Sequence, residues 1–314
     1  MQQQNQSLPL PARLARGRVL LLALAWPTIA GGQPATGVRA ADLAFTVNDG
    51  DLVLSAVSDL SQDPFKPKLG NGSVAVAAQW PASLVAGTCT ATLIGPQVLI
   101  TAAHCVGNGA KVTVKYASQP AFTGVCTRHE SWSLNNLSPD VALCLMAPMA
   151  GNGLYFESVD LDPELVGSNQ LLLLGGYGCR NLDTQKIENP PLFRIGYTVV
   201  AYRPGQNNDW PNWAITQPAT ARTSSFACPG DSGGSVYHLG LNDARRVVGI
   251  ISAVNANKDQ ADYKASYLTA LAAPGVKQFI TSWPSKVAGQ TPSGKAPLVC
   301  GIDSEAPRCR PDPP

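Results

Sequence analysis

Three residues stand in local sequences that give each of them a chemical role: His104 in TAAHC (residues 101–105), Asp140 in SPDVAL (138–143) and Ser232 in CPGDSGGS (228–235). A serine hydroxyl is a poor nucleophile near neutral pH. It needs a base to take its proton, and a carboxylate to hold that base in the tautomer able to accept it. The chain supplies one candidate for each task. The string GDSGG (230–234) also satisfies G-x-S-x-G, the turn that presents a serine in α/β-hydrolases. Chain order separates the two readings. Such a hydrolase needs its acid and then its histidine after the serine, yet the one histidine beyond Ser232 is His238, six residues on. The order found is histidine, aspartate, serine.

These side chains need a rigid scaffold. From residue 69 to about 284, short apolar runs alternate with Gly, Pro, Asn and Ser, for example at 98–102, 111–116, 171–174, 193–202 and 247–252. That spacing predicts an all-β sandwich or barrel. Helical signal is confined to one turn at 102–106 and a terminal helix near 275–283. Cys89 precedes a predicted strand at 90–94, which turns at Gly95-Pro96 into a second at 98–102, so the chain returns Cys105 to Cys89. A bridge there would brace His104 from the adjacent residue. Cys126 and Cys144 flank Asp140 in the same manner, Cys300 and Cys309 close a small loop, and Cys179 and Cys228 remain. Eight cysteines, an even count, fit an oxidising compartment. No closely spaced Cys or His pair of the C-x-x-C kind is present, so no metal and no cofactor is expected.

With 45% hydrophobic and 14% charged residues among 314, the chain reads as globular, and its net charge of +2 gives no argument for a nucleic-acid or anionic-membrane partner. Arg13, Arg16 and Arg18 precede the apolar run VLLLALAW (19–26), and small residues follow. This is the pattern of an export signal, with cleavage expected after Ala30 or Ala40, and the run is shorter than the ~20 residues of a spanning helix. Residues 1–40 are therefore expected to be a leader and the location secreted or periplasmic, with no membrane contact after signal cleavage. Residues 41–68, with Asp42, Asp49, Asp51, Asp59 and Asp63, form a candidate propeptide, and residues 285–314, rich in Pro, Gly, Ser and Lys, a tail with one disulfide loop.

TAAHC, DVAL and GDSGG in this order resemble the three signature blocks of the chymotrypsin/trypsin family of serine endopeptidases, over residues 69–284. The resemblance implies two six-stranded antiparallel β-barrels with the site in the cleft between them, a short C-terminal helix, and a protein or peptide substrate. It implies Ser232 as nucleophile, His104 as general base, Asp140 as the group orienting His104, and the backbone N–H groups of Gly230 and Ser232 as the oxyanion hole. Ser252, in GIISAV (249–254), corresponds to the family serine beside the triad aspartate. The strings GYGC (176–179) and VALC (141–144) look most like bacterial secreted members, which favours a Cys179 to Cys228 bridge.

Two departures shape the expectations. The family's activated N-terminus corresponds here to Leu69, preceded by Lys68, so an activating protease is an expected partner, and the freed Leu69 ammonium would pair with Asp231. The residue six before the nucleophile, at the floor of the primary pocket, is Phe226, beside Ala227, while Val254 stands on a pocket wall often formed by glycine. A phenyl ring cannot neutralise a buried cation. Ser235 replaces a usual proline. The rival from another class is a protease-like binding protein that has lost turnover.

Overall fold

Alternation of side chains between two faces gives β-strands here, and the structure, a computed structural model, closes most of them into two barrels. It describes residues 43–48 and 51–56, residues 73–303 apart from 76–78, 116–120, 135–137, 149–154, 180, 188, 190, 207–209, 220–223 and 241–244, and Cys309. The expected leader and the Lys68–Leu69 bond lie outside the described residues. Within the candidate propeptide, β1 (Leu43–Asn48) and β2 (Asp51–Ala56) pair as an antiparallel hairpin, and β3 (Ser73–Val74) follows.

The first barrel comprises β4 (Ser83–Ala86), β5 (Cys89–Gly95), β6 (Val98–Thr101), β7 (Lys111–Lys115), β8 (Phe122–Arg128) and β9 (Ala142–Met146), closed in the order β4-β5-β6-β9-β8-β7. The second comprises β10 (Leu171–Gly176), β11 (Arg194–Tyr202), β12 (Trp213–Thr216), β13 (Ser235–Leu239), β14 (Arg245–Val254) and β15 (Ser266–Ala270). Its order is β10-β13-β14-β15-β12-β11, closed by β10 on β11, with β3 added to β11.

Strands β5 and β6 are buried along their whole length, and alternation explains why. Leu93 and Leu99 point into the first barrel, whereas Ile94, Val98 and Ile100 belong to the core shared with Leu174, Val236 and Ile250 of the second. These strands are therefore covered on both faces, and their sequence reads as a continuous apolar run. Hydroxyls stitch the same face: Ser235 Oγ donates to Thr92 Oγ1 at 2.7 Å, both side chains buried. A serine thus stands where proline is usual because its hydroxyl joins β13 to β5 across the barrel interface.

The helix α1 (Pro274–Val287) begins with proline at its first turn, where a missing N–H costs nothing, and buries Val276, Phe279, Ile280, Trp283 and Val287. The expectation that it ends at about Trp283 is corrected, because it continues through Pro284. Burial of Trp283 and Val287 on either side holds the segment although Pro284 cannot donate to the helical ladder. The segment after it is also more than a loose tail. Val299 and Cys300 are fully buried, the Cys300 N–H donates to Ile94 O at 2.8 Å, and the Val159 N–H donates to Cys300 O at 2.9 Å. Composition alone missed this because the few apolar residues present, Leu298 and Val299, sit among prolines and glycines.

Candidate active site

His104 sits in a single 3-10 turn just after β6, Asp140 two residues before β9, and Ser232 three residues before β13; Asp140 bonds His104, and His104 and Ser232 line one cavity. His104 Nδ1 lies 2.7 Å from Asp140 Oδ2, and the His104 backbone N–H donates to Asp140 Oδ1 at 2.9 Å. Ser252 Oγ donates to Asp140 Oδ2 at 2.6 Å, and Thr269 Oγ1 donates to the Asp140 carbonyl at 3.2 Å. Burial raises the Asp140 carboxyl, but the His104 hydrogen bond and charge, together with the Ser252 hydroxyl, outweigh it and hold the group below the usual carboxylate range. Asp140 is thus a buried anion whose oxygens accept three hydrogen bonds, and it fixes the His104 proton on Nδ1. The other ring nitrogen, Nε2, is left as the basic one.

The Ser232 hydroxyl donates to the Ser252 carbonyl at 3.5 Å, and His104 Nε2 lies 3.6 Å from Cys105 Sγ. His104 and Ser232 line one cavity. Loose nucleophile geometry of this kind is common without substrate. Gly230 has φ +99° and Gly233 has φ +80°, both in the region that favours glycine, and a Cβ at 233 would collide with the Thr90 carbonyl and the Thr101 hydroxyl. The string GDSGG folds as a tight turn against β5 and β6 for that reason.

Beside Ser232 lies a cavity of about 410 Å³, lined by His104, Ala227, Gly230, Ile251, Ala253 and Val254 among others. Phe226 is placed differently from the expectation. It is 3% exposed and packs behind this lining with Cys179, Leu182, Ala219 and Cys228, with Val254 and Tyr263 against them. The Lys264 ammonium lies 5.1 Å from the centre of its ring. Phe226 therefore backs the wall instead of lining the cavity. Ile187 and Pro229 do line it; Ile187 lies outside every motif of the sequence, and Pro229 belongs to CPGDSGGS without a role that its residue type would signal.

The structure joins Cys89 to Cys105, Cys126 to Cys144, Cys179 to Cys228 and Cys300 to Cys309. Cys89, His104 and Cys105 lie close enough to suggest a metal cluster, but both sulfurs are committed to a disulfide. His129 is 6% exposed: its Nδ1 accepts from the Ser131 N–H and its Nε2 donates to Gly275 O, each at 3.1 Å. It anchors the start of α1.

Asp231 is 1% exposed, its oxygens accepting from the Gly178 N–H at 2.7 Å and the Cys228 N–H at 2.8 Å. Burial pushes its carboxyl up to about 7, against the pull of those two N–H groups and of the Arg194 charge. Arg194, also 1% exposed, donates to the Gly178 carbonyl at 3.3 Å. Between the unfolded carboxyl value of about 3.9 and this raised value, the folded chain holds a proton that the unfolded chain releases. Stability from this group is therefore greatest below about pH 4 and falls as pH rises to about 7. Thermal melting of the full Ser232→Ala chain is expected to drop across this window, and Asp231→Asn to flatten the profile. A wild-type profile with no loss between pH 5 and 7.5 would count against a protonated Asp231.

Two barrels with a histidine, a buried aspartate and a serine at their junction define a serine protease architecture. The Trypsin family model matches residues 69–272, and the chain belongs to the trypsin family of serine proteases. No curated protein matches the chain.

Proposed function

We propose that this protein is an exported serine endopeptidase that cleaves after small or medium apolar residues through an acyl-enzyme. The observation that carries the reading is the Asp140 carboxylate, which receives the ring and backbone of His104 and the hydroxyl of Ser252 within one buried cluster. Such a clamp holds the His104 proton on Nδ1 and leaves the opposite nitrogen free to act as a base, which supports the reading.

In the proposed sequence, the Ser232 proton passes to His104 Nε2 as Oγ bonds to the substrate carbonyl carbon. The resulting oxyanion accepts hydrogen bonds from the Gly230 and Ser232 N–H groups. The carbon–nitrogen bond then breaks and His104 gives its proton to the leaving amine. A water, deprotonated by the same nitrogen, releases the acyl group and restores Ser232. Labelling of the secreted protein by a fluorophosphonate, one per chain and lost in Ser232→Ala, tests the reading. A mature wild-type protein that binds peptide but resists the reagent would support the binding-protein rival.

Four disulfides and the leader pattern support export, and among the described residues no helix is long and apolar enough to cross a membrane. The bridge from Cys179, in GYGC, to Cys228 supports the likeness to bacterial secreted members. Cleavage after Lys68 is part of the proposal. Pairing of Ser73 with Ile195 and of Val74 with Arg194 supports it, because only three residues then separate Leu69 from a strand adjoining Arg194. An ammonium delivered to Asp231 would lower its pKa and remove the loss of stability with rising pH, so the melting profile of the cleaved Ser232→Ala chain should be flatter than that of the uncleaved one.

The specificity prediction follows from the lining. Ala227, Ala253 and Val254 line the cavity, no carboxylate lines it among the described residues, and the Lys264 ammonium lies 5.1 Å from the centre of the Phe226 ring. A peptide-library profile should favour Ala, Val or Leu before the scissile bond, with Arg and Lys lower by more than about 100-fold in kcat/KM. Discrimination among the apolar residues should be soft, since one methylene is worth about 1–3 kcal/mol. Preference for Arg or Lys would show that a carboxylate outside this lining reaches the bound side chain.

A further inference from the structure

Thr90, in β5 of the first barrel, touches both residues whose N–H groups face the developing oxyanion in the proposed reaction. Its backbone N–H donates to the Ser232 carbonyl at 2.8 Å, and its Oγ1 donates to the Gly230 carbonyl at 2.9 Å. The hydroxyl has one proton to give, and its direction is set from the other side, because Oγ1 accepts the Tyr177 N–H at 3.0 Å. The Thr90 carbonyl is held in turn by the Thr101 hydroxyl at 2.9 Å. Thr90 is fully buried, so none of these bonds competes with water.

We propose that Thr90 is a positioning residue for the oxyanion hole, its hydroxyl fixing the Gly230 carbonyl so that the Gly230 N–H stays aimed at the substrate oxygen; this rests on the serine protease reading above. Gly230, at φ +99°, is a pliable link of the nucleophile turn, since glycine carries no Cβ to limit rotation. The Asp231 N–H, on the opposite edge of the same planar peptide as the Gly230 carbonyl, is tied to Cys228 O at 2.9 Å, so that peptide is held from both edges. The preceding peptide, which carries the Gly230 N–H, is tied through the Pro229 carbonyl to the Cys179 N–H at 2.9 Å, and Thr90 Oγ1 adds the one hydrogen bond that ties the Gly230 carbonyl to the first barrel. A pre-set donor costs no reorganisation as charge develops, and this is where such donors gain their effect. Threonine at 90 thus couples the first barrel to the turn that belongs to the second. Thr90 acts through Gly230 and does not itself line the cavity.

The test compares the wild type with Thr90→Val, Thr90→Ala and Thr90→Ser on a peptide p-nitroanilide ending in Val and on a peptide boronate, which mimics the tetrahedral adduct. Thr90→Val keeps the shape and removes the proton. It is expected to lower kcat by about 10- to 100-fold with KM within about twofold, a smaller loss than removing an oxyanion donor outright. Boronate affinity should fall by a similar factor, affinity for the cleaved product peptide should stay unchanged, and the pH profile should keep its midpoint because His104 and Asp140 are untouched. Thr90→Ser, which keeps the hydroxyl and loses the methyl, should restore most of kcat, and Thr90→Ala should not. If Thr90→Val fails to fold, the Ser and Ala pair decides alone. Equal kcat for Ser and Ala variants, or loss expressed in KM alone, overturns the assignment to the hydroxyl. A wild type inert toward both the anilide and the fluorophosphonate overturns the protease reading and this proposal with it, whereas an active wild type matched by Thr90→Val overturns the proposal alone.

Discussion

Replacing Ser232 with Ala is expected to lower kcat on a peptide substrate by roughly 10⁴- to 10⁶-fold while leaving the fold intact. The size follows from what is lost. Without Oγ there is no acyl-enzyme, and hydrolysis must proceed by direct attack of water, which is neither held at Ser232 nor positioned against His104. What survives is the cavity and the backbone donors of Gly230 and Ser232, which still bind the carbonyl and its oxyanion. The fold is expected to stand because Ser232 Oγ makes a single long hydrogen bond, 3.5 Å to Ser252 O, while the turn is held by backbone groups that alanine retains. The Thr90 N–H still meets the residue-232 carbonyl, and the Gly233 N–H still meets Ile251 O at 2.8 Å. Melting temperature and the disulfide map should match the wild type. A residual rate within about tenfold of wild type would exclude Ser232 as the nucleophile.

The parts of the molecule that could be read from its sequence are those written in local patterns. The strand runs around 98–102 and 247–252 carried the barrels, and TAAHC, DVAL and GDSGG carried the family, because a turn that needs glycine at 230 and 233 leaves glycine in the sequence. What escaped is held by contacts between residues far apart along the chain. Thr90 looks like any strand threonine until the Gly230 carbonyl, 140 positions away, comes against its hydroxyl. Ser235 could be flagged as a departure but given no purpose until Thr92 was found opposite it. Arg194 carries no motif, yet it reaches the Gly178 carbonyl and the field of Asp231. Phe226, six residues before Ser232, sits near the pocket as its position implies, but its ring packs with Cys179, Leu182, Ala219 and Cys228, and such packing between distant residues is not written in any local pattern. The segment after Pro284 failed for the opposite reason, because composition averages over residues and a few buried ones, Val299 and Cys300, suffice to dock it.

Asp140→Asn is expected to reduce kcat by about 10⁴-fold near neutral pH with little change in stability or in binding of substrate. An amide is nearly the same shape as the carboxylate, so the Asn oxygen can still accept the His104 backbone N–H, which now meets Oδ1 at 2.9 Å. The other position changes from acceptor to donor. At present Asp140 Oδ2 receives the Ser252 hydroxyl at 2.6 Å and faces His104 Nδ1 at 2.7 Å. An NH₂ group there forces Nδ1 to become the acceptor, so the ring proton moves to Nε2, the nitrogen that must be free to take the Ser232 proton. The Ser252 hydroxyl can turn to accept instead, and the cluster stays satisfied, which is why stability should hold. The base is present but presents the wrong tautomer, and the anion that would stabilise a protonated His104 is gone. Hydroxide-dependent turnover should then dominate, so the residual activity should climb further at alkaline pH than that of the wild type. Fluorophosphonate labelling should slow in parallel with kcat, because both require the same proton transfer. A variant that keeps wild-type kcat at pH 7 would show that Asp140 serves the fold of the cleft and not the tautomer of His104.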